Sequence, residues 1–114
     1  MELSIKERML LQQLLGGVKT NFLTLKKIRV FREELSPTNS EEKKLNLREE
    51  GTGDKKSLRW NPIPDREIEI PEAVYNVIKK TLESMDKAEQ LSNDFYSLME
   101  KFFPEMEDKK AKEV

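Results

Sequence analysis

Apolar residues recur every three or four positions over most of the chain, and the rhythm breaks once, in the middle. Ile5, Met9, Leu11, Leu14 and Leu15 follow helical spacing. Ser4 with Glu7 three residues later is a capping-box pattern. A first helix is expected from about Ile5 to Leu15, ended by Gly16-Gly17 in the left-handed conformation. Phe22, Leu25, Ile28, Phe31 and Leu35 form a second stripe, capped by Thr20 or Asn21 and closed by Ser36-Pro37. Thr38 and Glu41 repeat the capping box ahead of a short helix whose one strong apolar anchor is Leu45.

From Asn46 the period changes. Leu47-Arg48-Glu49-Glu50, then Gly51-Thr52-Gly53-Asp54, then Ser57-Leu58-Arg59-Trp60 reads as a hairpin, with the two glycines at positive-φ turn positions. Leu58 and Trp60 alternate with polar neighbours, so the Trp60 ring is expected to cover the edge of the core. Residues 61–65 hold two prolines, which cannot donate ladder hydrogen bonds, and read as a loop. Arg66-Glu67-Ile68-Glu69-Ile70 alternates as a strand that completes a small antiparallel sheet. Helical spacing then returns. Val74, Tyr75, Val77, Ile78, Leu82 and Met85 follow Pro71-Glu72, a favourable first turn. Leu91 is expected in the joint. Phe95, Leu98, Met99 and Phe102 make the last apolar face, which Pro104 ends.

The expected fold is therefore α+β: about five helices with a small antiparallel sheet made of the hairpin plus a third strand. Residues 1–104 form a single globular domain and 105–114 a flexible polar tail. The order helix, helix, short helix, hairpin matches a winged helix-turn-helix.

Composition removes several chemistries. The 114 residues contain no His and no Cys. Imidazole bases, thiolate nucleophiles and the usual zinc ligands are thus unavailable. The carboxylate pairs Glu33-Glu34, Glu41-Glu42 and Glu49-Glu50 are adjacent in sequence, so their side chains diverge. Phosphate-cradling and dinucleotide motifs are missing; Gly51-x-Gly53 is only a turn. The reading is a protein that is not an enzyme, with no catalytic residues, metal or cofactor. The segment 1–8 lacks the pattern of a signal peptide, and no apolar run reaches the ~20 residues of a membrane span. A cytoplasmic protein is expected.

Net charge is -1, but it is unevenly spread. Residues 1–35 carry seven basic and four acidic side chains, while residues 71–114 carry seven and ten. A solvated surface explains such a gradient; an anionic partner or head-to-tail self-association is the functional reading. Lys26, Lys27, Arg29 and Arg32 on the second helix and Lys55, Lys56 and Arg59 on the hairpin are the candidate contacts for nucleic acid or another anion. Glu41-Glu42 at the head of the would-be recognition helix and a sequence pI of about 5.7 argue against DNA. Tyr96 and Phe103 lie beside the last apolar face, and Tyr96, Phe102 and Phe103 are the candidate protein-contact residues, toward a protein partner or a second copy in a homodimer.

Several short motifs occur in order. Ser4-x-x-Glu7-Arg8-Met9-Leu10-Leu11 opens the chain, and Asn21-Phe22-x-Thr24-Leu25-Lys26-x-Ile28-Arg29 follows. Leu58-x-Trp60, Ile68-Glu69-Ile70 and Leu91-Ser92 come next, and Tyr96-Ser97-Leu98-Met99-Glu100-Lys101-Phe102 closes the series. Over residues 3–103 this resembles the uncharacterised small proteins encoded by phages and prophages. Those open with Thr/Ser-x-x-Glu-Arg and close with a Leu-Tyr-Glu-Lys-Phe-like motif; here Met99 stands where the family has Tyr. The resemblance carries no activity or site residues. It implies a phage accessory protein made inside a bacterial host cell, acting on a host or phage protein, for instance as an inhibitor of host defence. A DNA- or RNA-binding regulator is the alternative. A third reading is sequestration of an anionic nucleotide signal by Lys26, Arg29 or Arg59.

Overall fold

The computed structural model describes residues 1–105; the tail expected over 105–114 lies, apart from Glu105, outside the described residues. The fold is α+β, with five α-helices and two short antiparallel strand pairs among the described residues. In chain order the elements are β1 (Glu2–Leu3), α1 (Ile5–Gly16), α2 (Phe22–Leu35), α3 (Asn39–Leu45), β2 (Arg48–Glu50), β3 (Ser57–Arg59), β4 (Arg66–Glu67), α4 (Glu72–Lys87) and α5 (Tyr96–Phe102). Single 3-10 turns cover Gly53–Lys55 and Asn93–Phe95.

Helix starts are set by side-chain caps. The Ser4 and Thr38 hydroxyls accept from the Glu7 and Glu41 amides, and both glutamates reach back to close the capping box. The Asn21 side chain accepts from Thr24 N–H at 2.8 Å. Helix ends differ from expectation at one place. Gly16 is still helical and Gly17 has φ -100°, so α1 does not end through a left-handed glycine. That conformation appears after α3, at Asn46 with φ 47°.

Helices α1, α2 and α4 pack on one another. Leu11 and Leu15 from α1, Ile28, Phe31 and Leu35 from α2, and Val74, Ile78 and Leu82 from α4 meet in one buried cluster. Helix α5 adds Leu98 and Phe102, and Leu3 and Ile68 close the end by the strands. Burying each such side chain is worth about 1.5–3 kcal/mol, so this cluster supplies most of the folding drive.

The third strand does not extend the hairpin. Arg66–Glu67 pairs with Glu2–Leu3, with Leu3 opposite Arg66, so there are two separate two-stranded sheets. The cause is burial: Leu3 and Ile68 are both in the core, which draws the strand to the front of the chain. The hairpin instead projects from the end of α3. Arg48 pairs with Arg59 and Glu49 with Leu58, and every residue of β2 and β3 is exposed. It is anchored at its base, where Asn61 N–H donates to the Leu45 carbonyl at 2.7 Å and Arg48 donates to the Asn46 carbonyl at 3.1 Å. Trp60 is half-buried there, while Leu58 remains exposed.

Candidate binding surfaces

Two groups of side chains stand out, one buried and charged, the other exposed and apolar. The buried group starts from Arg8, only 1% exposed on α1. Its Nη1 donates to Glu41 Oε2 at 2.9 Å, and Glu41 Oε1 accepts from Arg66 Nη1 at 3.1 Å. Arg66 also donates to the Glu34 carbonyl at the end of α2. One carboxylate thus ties α1, α3 and β4 together, and Arg66 extends the tie to α2. Beside it, buried Glu7 accepts from Lys101 Nζ at 2.6 Å, which links α1 to α5.

Burial by itself would raise the carboxyl groups of Glu7 and Glu41. Hydrogen bonds and cations outweigh it. For Glu7 these come from Lys101, the Ser4 amide and Ser97; for Glu41, from Thr38, Arg8 and Arg66. Both carboxyls therefore sit below their ordinary range. Arg8 is lowered by burial, partly offset by Glu41. Among the described residues Arg8 Nε, Arg8 Nη2 and Glu7 Oε2 are buried without a hydrogen-bond partner. These groups join elements and face the interior.

The exposed group is concentrated on one helix. Of the large apolar side chains left in solvent, Phe22, Leu23, Leu25 and Val30 all belong to α2, at 72%, 65%, 39% and 59% exposure. Phe22, Lys26 and Val30 succeed each other at spacing four, on the side away from buried Ile28, Phe31 and Leu35. The Lys26 ammonium lies 4.6 Å from the Phe22 ring centroid. Lys27, Arg29 and Arg32 are exposed on the same helix. Beside this face a groove of about 470 Å³ runs between α2 and the segment 69–71, lined by Lys26, Lys27, Val30, Glu34, Glu69 and Pro71.

The residues expected from sequence fall in three places. Lys26, Lys27, Arg29 and Arg32 are exposed on α2, and Lys55, Lys56 and Arg59 are exposed on the hairpin, which is anchored through α3 rather than α2. Tyr96 is 64% exposed. Phe102 and Phe103 are not available for contact: Phe102 is fully buried and Phe103 is 9% exposed. The Phe102 ring lies 5.1 Å from that of Tyr75. Phe103 escapes the helical-wheel argument because it is already past the helix, at φ -133°, and turns inward under Lys79. Leu23 and Val30 are exposed but fall outside the contact residues that the sequence points to; their signal is that they are apolar yet lie off the buried stripe.

Among the described residues no group of three or more carboxylates is placed to hold a metal ion. No described helix is long and apolar enough to cross a membrane. No protein-family model, curated protein or solved structure matches the chain.

Proposed function

We propose that this protein is a non-enzymatic interaction module that binds a protein partner through the exposed face of α2. The observation that carries this reading is the concentration of Phe22, Leu23, Leu25 and Val30 in solvent on a helix whose other side is well packed. Apolar side chains scattered singly over a surface mean little, but a cluster on one element marks a contact site. Residues 22–30 carry Lys26, Lys27 and Arg29 and no acidic residue. The partner surface is accordingly apolar at its centre and acidic at its rim.

The resemblance to phage and prophage proteins supports the setting: an accessory protein in the cytoplasm of a bacterial host, with a host or phage protein as its target. Nucleic-acid binding through the hairpin has less support. Residues 47–60 carry four basic side chains against Glu49, Glu50 and Asp54, which leaves a weak net field for phosphates.

The test is co-purification with wild-type protein and with the double variant Leu23→Asp/Val30→Asp. Both positions are exposed, so the variant should fold as the wild type does. A stoichiometric protein held by the wild type and lost by the variant is the expected result. Equal retention by both would refute the α2 face, and a doubled mass of the wild type alone would make a second copy the occupant.

A further inference from the structure

The outer edge of β4 offers a second docking site, next to the α2 groove, with which it shares Glu34 and Glu69. Ile68 N–H donates to the Met1 carbonyl at 2.9 Å, so the Ile68 backbone faces β1. Along an antiparallel pair, backbone groups point alternately toward and away from the partner strand. Glu67, opposite Glu2, therefore turns its N–H and C=O away from β1. Among the described residues Glu67 makes no backbone hydrogen bond on that side, and Glu69, two residues on and just past β4, makes none to any backbone group.

These open groups border a groove of about 420 Å³ between β4 and the end of α2, lined by Glu33, Glu34, Thr38, Arg66, Glu67 and Glu69. The Arg66 guanidinium is already committed to Glu41 and to the Glu34 carbonyl. Glu33, Glu34 and Glu69 have no ion-pair partner among the described residues. The groove thus combines unpaired strand donors and acceptors with excess negative charge.

We propose that this groove takes an extended, lysine- or arginine-bearing segment of a partner protein, which adds to β4 as a third strand. Ladder hydrogen bonds to Glu67 and Glu69 supply the binding, and the glutamates select a basic sequence. The same carboxylates disfavour a second copy pairing edge to edge, because like charges would then face each other across the new ladder. A two-stranded sheet also gains stability from a third strand.

The probe is an end-blocked peptide of alternating lysine and valine, titrated into labelled protein and followed by amide NMR with hydrogen exchange. Expected are saturable binding and slowed exchange at the Glu67 and Glu69 amides. The same peptide methylated on every backbone nitrogen should bind about tenfold weaker or worse, since it cannot donate to the ladder. A glutamate–valine peptide should not bind. The variant Glu33→Lys/Glu69→Lys, changed only at exposed positions, should keep its circular dichroism and lose binding to a similar degree. Failure of the lysine–valine peptide to bind, equal binding of the methylated peptide, or protection confined to other amides would each overturn the proposal.

Discussion

Arg8 and Glu41 meet at 2.9 Å although they are 33 positions apart, and the Arg8 side chain is 1% exposed. A buried cation left alone is costly, while an apolar group of similar length in its place is not. Glu41→Gln, which leaves Arg8 and Arg66 facing an uncharged amide, is expected to cost about 2–4 kcal/mol. Arg8→Met should cost clearly less, since Glu41 keeps Arg66. In the double variant the two losses should not add. Urea denaturation of the four proteins measures this; equal losses that sum would contradict the role given to Glu41.

The same carboxylates set the response to acid. Glu7 and Glu41 are held below the ordinary value of 4.5 in the folded protein. A depressed carboxyl contributes stability that is fully present above its unfolded value, and that contribution is lost as pH falls through the folded value. With no His in the chain, the thermal midpoint should stay level between about pH 8 and pH 5 and then fall. Glu7→Gln should lower the plateau and make the acid fall shallower. A decline that begins well above pH 5 would count against this.

Phe102 and Tyr96 belong to the same short helix and should behave in opposite ways. Phe102→Ala opens a cavity beside Tyr75 and is expected to cost about 3–5 kcal/mol. Tyr96→Ser should change stability by no more than about 0.5 kcal/mol. Thermal unfolding of the two variants decides it.

The hairpin turn rests on one glycine more than on the other. Gly51 has φ 107°, and a Cβ there would run into the Lys55 carbonyl; Gly53 has φ 62° and open space. Gly51→Ala should therefore release the β2–β3 amides to fast exchange and leave the core amides protected. Gly53→Asn, which tolerates the left-handed region, should change little. Hydrogen exchange resolved by residue reads both.

Elements with a local cause were legible in the sequence. Ser4, Asn21 and Thr38 mark the starts of α1, α2 and α3, and Gly51 with Gly53 marks the turn. What depends on distant partners was not. Glu2–Leu3 is too short to show a period, so the pairing of β4 with β1 leaves no trace in the sequence, whose alternation alone places the third strand beside the hairpin. Nothing local marks Arg8 for burial; that depends on Glu41, 33 positions away. Phe103 sits beyond the helix whose wheel would have placed it. The α2 face is half legible: its basic residues stand out by charge, while Phe22 and Leu25 share one apolar stripe with buried Ile28, Phe31 and Leu35 and yet are exposed.

Lysine footprinting reads the α2 contact face residue by residue. The protein is acetylated alone and in complex with its co-purified partner, and each lysine is then read by mass spectrometry. Protection of Lys26 and Lys27, with Lys55 and Lys56 on the hairpin still reactive, is the expected result. Unchanged reactivity at Lys26 and Lys27, or protection confined to the hairpin lysines, would contradict it.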